Sequence, residues 1–212
     1  RLLRKHLGFA EEGPIQNLVG AMENKGVLIF RCGIENAHFS GMNGTVDGRP
    51  YLILNANITP ERQRSTLVHE LAHVFCVFPD DMPEKEREDF ATAISGAFLC
   101  PREDMLRELG VRRTRITSDM IMVAKEYGVS TLLLMKRANL LGMISDAVYK
   151  DFMIRASQNG WRKNEPSRIP EETTNLFEQL TIRAVNEDEI NQLRGAELLK
   201  LSYDEFDRMV HA

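Results

Sequence analysis

Chemistry is concentrated in the segment Leu67-Val68-His69-Glu70-Leu71-Ala72-His73-Val74-Phe75-Cys76-Val77-Phe78. Nine of its twelve residues are apolar, so a helix built from it is hydrophobic on nearly every side and is expected to be buried. The exceptions are His69, Glu70 and His73. Burying a carboxylate and two imidazoles is costly unless something pairs with them, and a divalent metal supplies that pairing. Residues four apart share a helical face, about 6 Å apart along the axis. Two imidazoles there can converge on one ion at bonds of about 2.0–2.1 Å. Glu70, one residue round, is offset from that pair but in reach of a water activated by the metal. The pattern is H-E-x-x-H, two ligands and a general base.

Two histidines leave a catalytic zinc one protein ligand short. A metzincin continuation needs Gly at 76 and His at 79; Cys76 and Pro79 stand there and exclude it. Cys76 shares the histidine face but lies roughly 10 Å along the axis from His69, too far to close the same site. The third ligand is therefore expected on the following helix, among Glu84, Glu86, Glu88 and Asp89. Glu88 is the expected one, because it begins a stripe of small residues, Ala91 and Ser95, that lets this helix approach the histidine helix closely. Glu84, in the first turn after Pro83, reads as a charge favourable to the helix dipole. Tyr51, His38 and Tyr127 are candidate donors for stabilising an oxyanion, with none preferred.

The elements that must position these groups follow from periodicity. Pro14 to Asn24 has helical spacing, with Gly26 as a stop. Val27 to Cys32, His38 to Met42 and Tyr51 to Asn55 read as short strands separated by Gly and Asn turns, giving a small, mostly antiparallel sheet. Thr59-Pro60 opens a helix through about Val77, and Glu84 to Leu99 is the next. Helical patterns then run over Arg102 to Leu109, Asp119 to Tyr127, Thr131 to Leu141 and Ser145 to Gln158. Beyond Pro170 they resume around Leu176, over Ile190 to Leu201 and over Tyr203 to Val210. The predicted class is α+β, mostly helical, with a three-stranded antiparallel or mixed sheet and a helical C-terminal satellite.

The 212 residues are 43% hydrophobic and 27% charged, with 14 Gly and 8 Pro, which excludes a disordered or fibrous chain. Uninterrupted apolar runs, such as Leu132 to Met135 or Val74 to Phe78, fall far short of the roughly 20 residues that span a bilayer. Glu11 and Glu12 interrupt the N-terminus before a signal-peptide core forms, so a cytoplasmic protein with no membrane partner is expected. Cys32, Cys76 and Cys100 are odd in number and lack CxxC spacing; no disulfide framework is expected, and all are read as buried thiols. A net charge of −4 argues against the whole surface acting as a nucleic-acid footprint.

With these residues in view the chain resembles the ImmA/IrrE zinc-peptidase family of bacteria and their mobile elements. The resemblance runs through GPIQNLVGAMENKGV, RQRSTLVHELAH, the E-x-x-A of Glu88 to Ala91, the L-x-P of Leu99 to Pro101, and YGVSTLLLMKRANLLGMIS. Departures are mild: Ile94 stands where the family often has Phe, and Cys100 where it often has Met. The resemblance places the third ligand on the Glu of E-x-x-A, here Glu88, and implies Zn²⁺ as cofactor with Glu70 as catalytic base. It implies a gluzincin-like endopeptidase that cleaves a transcriptional repressor, typically of the XRE helix-turn-helix type, under DNA damage or another stress. Longer members carry an XRE domain ahead of the peptidase and a tail similar to RAVNEDEINQLRGAELLKLSYDEF. The start at Arg1 and this tail suggest the C-terminal part of such a form, with DNA contacted only through an upstream domain or partner. The expected organisation is a zincin-like metallopeptidase domain over 1–160, a linker over 161–170 and a small helical region over 171–212.

Two rival readings exist. Lys125 to Leu141 has the helix, Gly-containing turn and helix of a DNA reader, but its second helix, Thr131-Leu-Leu-Leu-Met, is core-like. The basic cluster Arg112, Arg113 and Arg115 reads as a solvated loop. A zinc-bound sensor with a vestigial peptidase site is the other rival, and the intact Glu70 argues against it.

Overall fold

The structure, a computed structural model, describes residues 1–36, 38–161 and 164–211. Arg162 and Lys163 of the expected linker, and Ala212 at the end of the C-terminal region, lie outside the described residues. Among the described residues the strands are β1 (Leu28–Cys32), β2 (Gly41–Val46) and β3 (Arg49–Asn55). The helices are α1 (Leu2–His6), α2 (Leu18–Glu23), α3 (Pro60–Phe75), α4 (Glu84–Leu99), α5 (Arg102–Leu109), α6 (Ser118–Glu126), α7 (Thr131–Leu140), α8 (Asp146–Gln158), α9 (Leu176–Asn186), α10 (Gln192–Leu199) and α11 (Tyr203–Val210). The class is α+β, as its sequence pattern predicts.

The sheet is mixed, with order β1-β3-β2. Asp47 and Gly48 both take positive φ, 49° and 74°, which closes a tight hairpin and makes β2 and β3 antiparallel. β1 pairs with β3 in parallel, Leu28 opposite Tyr51 and Cys32 opposite Asn55, so the mostly antiparallel sheet is corrected to one pair of each kind. The second strand also starts later than His38. The Asn55 side chain donates to the Ile34 and Phe39 carbonyls at 3.0 and 2.9 Å and accepts from Ile34 N, holding that loop off the ladder.

Helix α3 lies on the sheet with Leu67, Val68, Leu71 and Ala72 buried in the main core. Gly41 permits this approach: a Cβ there would sit 2.7 Å from Thr66 Cγ2 and 2.9 Å from the Ile53 carbonyl. Thr59 is extended as expected of a cap, but its side chain makes no capping bond, and Pro60 at the first turn carries the start. The helix ends at Phe75, short of the expected Val77, with Cys76 extended. Pro79 disfavours helix at Phe78, and Val77 is 99% exposed, so the burial expected of the whole segment holds only to Ala72.

Two further departures share one cause, arginines that recruit main-chain carbonyls. Arg4 of α1, a helix too short to show periodicity, is buried and donates to the carbonyls of Phe98 (2.6 Å), Ala10 and Gly13. Arg64 of α3 donates to the Ile15 carbonyl, keeping Ile15 and Gln16 out of helix, so that α2 starts at an Asn17 cap instead of Pro14. Gly128 takes φ +62° beside this guanidinium, where a Cβ would come within 2.7 Å of the Arg64 Nε.

The segment after α8 is tied down by three buried carboxylates and a half-buried one, Glu172. Glu165 accepts from Thr131 N and Ser167 Oγ, Glu61 from Ile169 N, Glu172 from Val19 N and from Arg64, and Glu23 from Asn175 N and Leu176 N. Phe177 then packs edge-on to Phe30 of β1 at 5.4 Å. Helices α9 to α11 close a second, small core around Val185, Ala196 and Phe206. Of the cysteines expected to be buried, only Cys100 is; Cys76, beyond the end of α3, is half-buried, and Cys32, at the last position of β1, is exposed. Among the described residues no helix is long and apolar enough to cross a membrane.

Candidate metal centre

Helix α3 turns its apolar face to the sheet and its polar break toward α4. Close contact between the two helices rests on small residues: Ala91 is fully buried, and Ser95 Oγ donates to the Ser65 carbonyl at 2.8 Å. Glu88, one turn before Ala91, is thereby brought over the histidines. His69 Nε2 stands 3.0 Å from Glu88 Oε2, His73 Nε2 stands 3.1 Å from Glu88 Oε1, and the two Nε2 atoms are 3.2 Å apart. Ligands at bonds of about 2.0–2.1 Å in a tetrahedron are about 3.3 Å from one another, so the three side chains fit a divalent metal without rearrangement. Two imidazole nitrogens and one carboxylate form the donor set, and the cluster borders a cleft. Glu84 lines that cleft without joining the cluster, and Glu86 and Asp89 do not join it either.

Two contacts orient the centre, and sequence pattern alone carries no signal for either. Thr92 Oγ1 lies 3.3 Å from His69 Nδ1; a proton there donated to the hydroxyl leaves Nε2 free as a ligand. Asn43 Nδ2, on β2, donates to Glu70 Oε2 at 2.7 Å and fixes that carboxylate beside the cluster.

The cleft has two lobes that share Gly41, His69, Glu70 and Glu88. The larger, about 850 Å³, runs between α3, α4 and α7 and is walled by Leu132, Leu133 and Leu140. The smaller, about 680 Å³, is bounded by Met42, Phe78 and Arg87. The proposed reading helix of a DNA-binding motif is thus a wall of this cleft. Its Leu134, Met135 and Ala138 are in the core, and its Arg137 is spent on the Cys100 carbonyl. Arg113 of the basic cluster is paired with Asp119, whose carboxyl that guanidinium and Thr117 hold down to about 2.

Of the candidate oxyanion donors, the structure brings only His38 to the cleft, on the larger lobe. Tyr51 instead lies across the hairpin over Gly44, where a Cβ would come within 2.5 Å of its ring. Tyr127 is in the core with its hydroxyl accepting from Arg107; burial, then the neighbouring Asp104, push it up to about 12.

An H-E-x-x-H helix and a glutamate from the next helix, set against a small mixed sheet, define a metallopeptidase-like α+β domain. Residues 22–139 match peptidase M78, the IrrE N-terminal-like domain. The match spans all three strands and α3 to α7 almost entirely, and the chain belongs to this family of metallopeptidases. No curated protein matches the chain.

Proposed function

We propose that the chain is a zinc-dependent endopeptidase acting in the cytoplasm on a transcriptional repressor of the XRE helix-turn-helix type, in a stress or mobile-element circuit. The observation that carries this reading is the convergence of His69, His73 and Glu88 beside a Glu70 already held by Asn43, at the floor of an open cleft. Zinc, when bound by those three residues, supplies the Lewis acidity that polarises a peptide carbonyl and lowers the pKa of water. Glu70 then acts as the base that takes the proton from the attacking water and returns it to the leaving amine. Asn43 keeps the carboxylate aimed through that exchange. β2 is an edge of the sheet and lines both lobes, so an extended substrate segment can add to it by main-chain hydrogen bonds.

The family supports peptidase chemistry, and the resemblance to repressor-cleaving members supports the substrate class. DNA contact is assigned to a separate domain or partner, because α7 has its residues in the core and the cleft. Incubation of the zinc-loaded protein with the repressor encoded beside it, followed by gel and mass spectrometry, tests the reading. One fixed cut, absent with Glu70→Gln, is the expected result. Operator binding by this chain without any cut supports a regulator instead.

A further inference from the structure

Helix α7 carries more apolar surface than the core uses. Leu134, Met135 and Ala138 are buried, whereas Leu132, Leu133 and Leu140 line the larger lobe of the cleft, and Leu140 is 57% exposed. Across the lobe α4 presents only small residues beyond Asp89, among them Thr92, Ala93 and Gly96. Gly96 lies within α4 and takes no positive φ, and a Cβ placed on it would meet nothing nearer than Arg137 Cδ at 3.9 Å, an ordinary contact. Neither backbone nor packing requires glycine there, and glycine weakens a helix relative to alanine. What its missing side chain does is keep the lobe deep.

The charges that line the lobe are accounted for. Its acids, Glu70, Glu88 and Asp89, stand at the metal end. Arg137 donates to the Cys100 carbonyl at 3.0 Å, Arg62 donates to Ser40 Oγ at 2.8 Å, and the Lys136 ammonium lies 5.5 Å from the centre of the Tyr149 ring. At Gly96 the nearest group is therefore a methylene of an arginine whose head is engaged elsewhere, and Leu133 and Leu140 stand four residues before and three after it on one face of α7. Gly96 follows Glu88 by eight residues, about 12 Å along the helix axis, which is the span of roughly three to four extended residues. Gly41 of β2 lines both lobes, so a chain laid along that edge with a peptide bond at the metal centre runs on into this space. We propose that the far end of the larger lobe is a subsite for a bulky apolar side chain of the substrate, Leu, Met or Phe, three or four residues from the scissile bond. Gly96 sets its depth, and Leu133 and Leu140 are its walls. This rests on the peptidase reading above and adds a sequence preference to it.

The test uses zinc-loaded protein and fluorescein-labelled pentapeptide hydroxamates of alanine, one series with the hydroxamate at the C-terminal end and one with it at the N-terminal end. A single Leu or Glu is walked through each series, and binding is read by fluorescence anisotropy. In one series, Leu at the third or fourth residue from the hydroxamate is expected to bind about tenfold tighter than Ala, and Glu no tighter than Ala. Gly96→Leu, which fills the depth, and Leu140→Asp, which charges an exposed wall outside the core, should each bring the Leu probe down to the level of the Ala probe. Equal binding of Leu and Ala at those positions, or a preference for Glu there, overturns the subsite, as does a Leu preference that survives both variants. Failure of every hydroxamate to bind contradicts the metal reading itself and removes the subsite with it.

Discussion

Arg64 and Glu172 form an ion pair between α3 and the segment that follows α8, with 4% and 12% of their side chains exposed. Burial lowers the Arg64 guanidinium to about 10, and Glu172 also accepts from Val19 N at 2.7 Å. The pair lies on the helix that carries His69, five residues before it, so the position of the metal helix is coupled to a stretch of chain more than a hundred residues away.

Removing one partner of a buried pair strands the other. Glu172→Ala is expected to destabilise the fold by about 3–5 kcal/mol in urea unfolding, and Glu172→Gln, which keeps an acceptor for Val19 N, by less. A loss below about 1 kcal/mol for Glu172→Ala, the range of exposed pairs, shows that the segment does not brace α3.

Asn43→Ala frees the Glu70 carboxylate from its donor without touching the metal cluster. Outer partners of this kind are typically worth about 10- to 100-fold, so repressor cleavage should fall by that factor with zinc content unchanged. Loss of zinc together with activity would place Asn43 in metal retention, not in aiming the base.

The thiols differ in reach. Cys32 should react with a maleimide within the mixing time, Cys76 more slowly, and Cys100 only on unfolding, as followed by intact mass. Burial pushes the Cys100 thiol up to about 12, against about 8.5 in an unfolded chain. The folded form therefore holds this proton where the unfolded form has lost it, and stability from this group is full below about pH 8.5 and falls as pH rises beyond it. Labelling of Cys100 at the Cys32 rate contradicts the packing around α4.

What could be read from sequence, and what could not, divides by the range of the interaction. His69, Glu70 and His73 are legible because four residues on a helix are one turn whatever surrounds it, and Glu88 because small residues repeat beside it on the next helix. Asn43 is not legible. Its aim depends on the register of β2, which is set by the Asp47-Gly48 turn and by Asn55 holding back the preceding loop. Nor is the role of Glu23, Glu61, Glu165 and Glu172, which no spacing sets apart and which only tertiary contacts supply with main-chain N–H groups. Residues 164–175 have no hydrophobic period because side chains elsewhere in the chain hold them, not their own apolar face.

Zinc content per chain, measured by mass spectrometry of metals on proteins dialysed against limiting zinc, tests the centre most directly. The wild type and Glu70→Gln are expected to hold about one zinc each, His69→Ala with His73→Ala none, and Glu88→Gln far less than one, whereas Glu84→Gln should be unchanged. Full zinc in the double histidine variant, or in Glu88→Gln while Glu84→Gln loses it, contradicts the His69, His73 and Glu88 site.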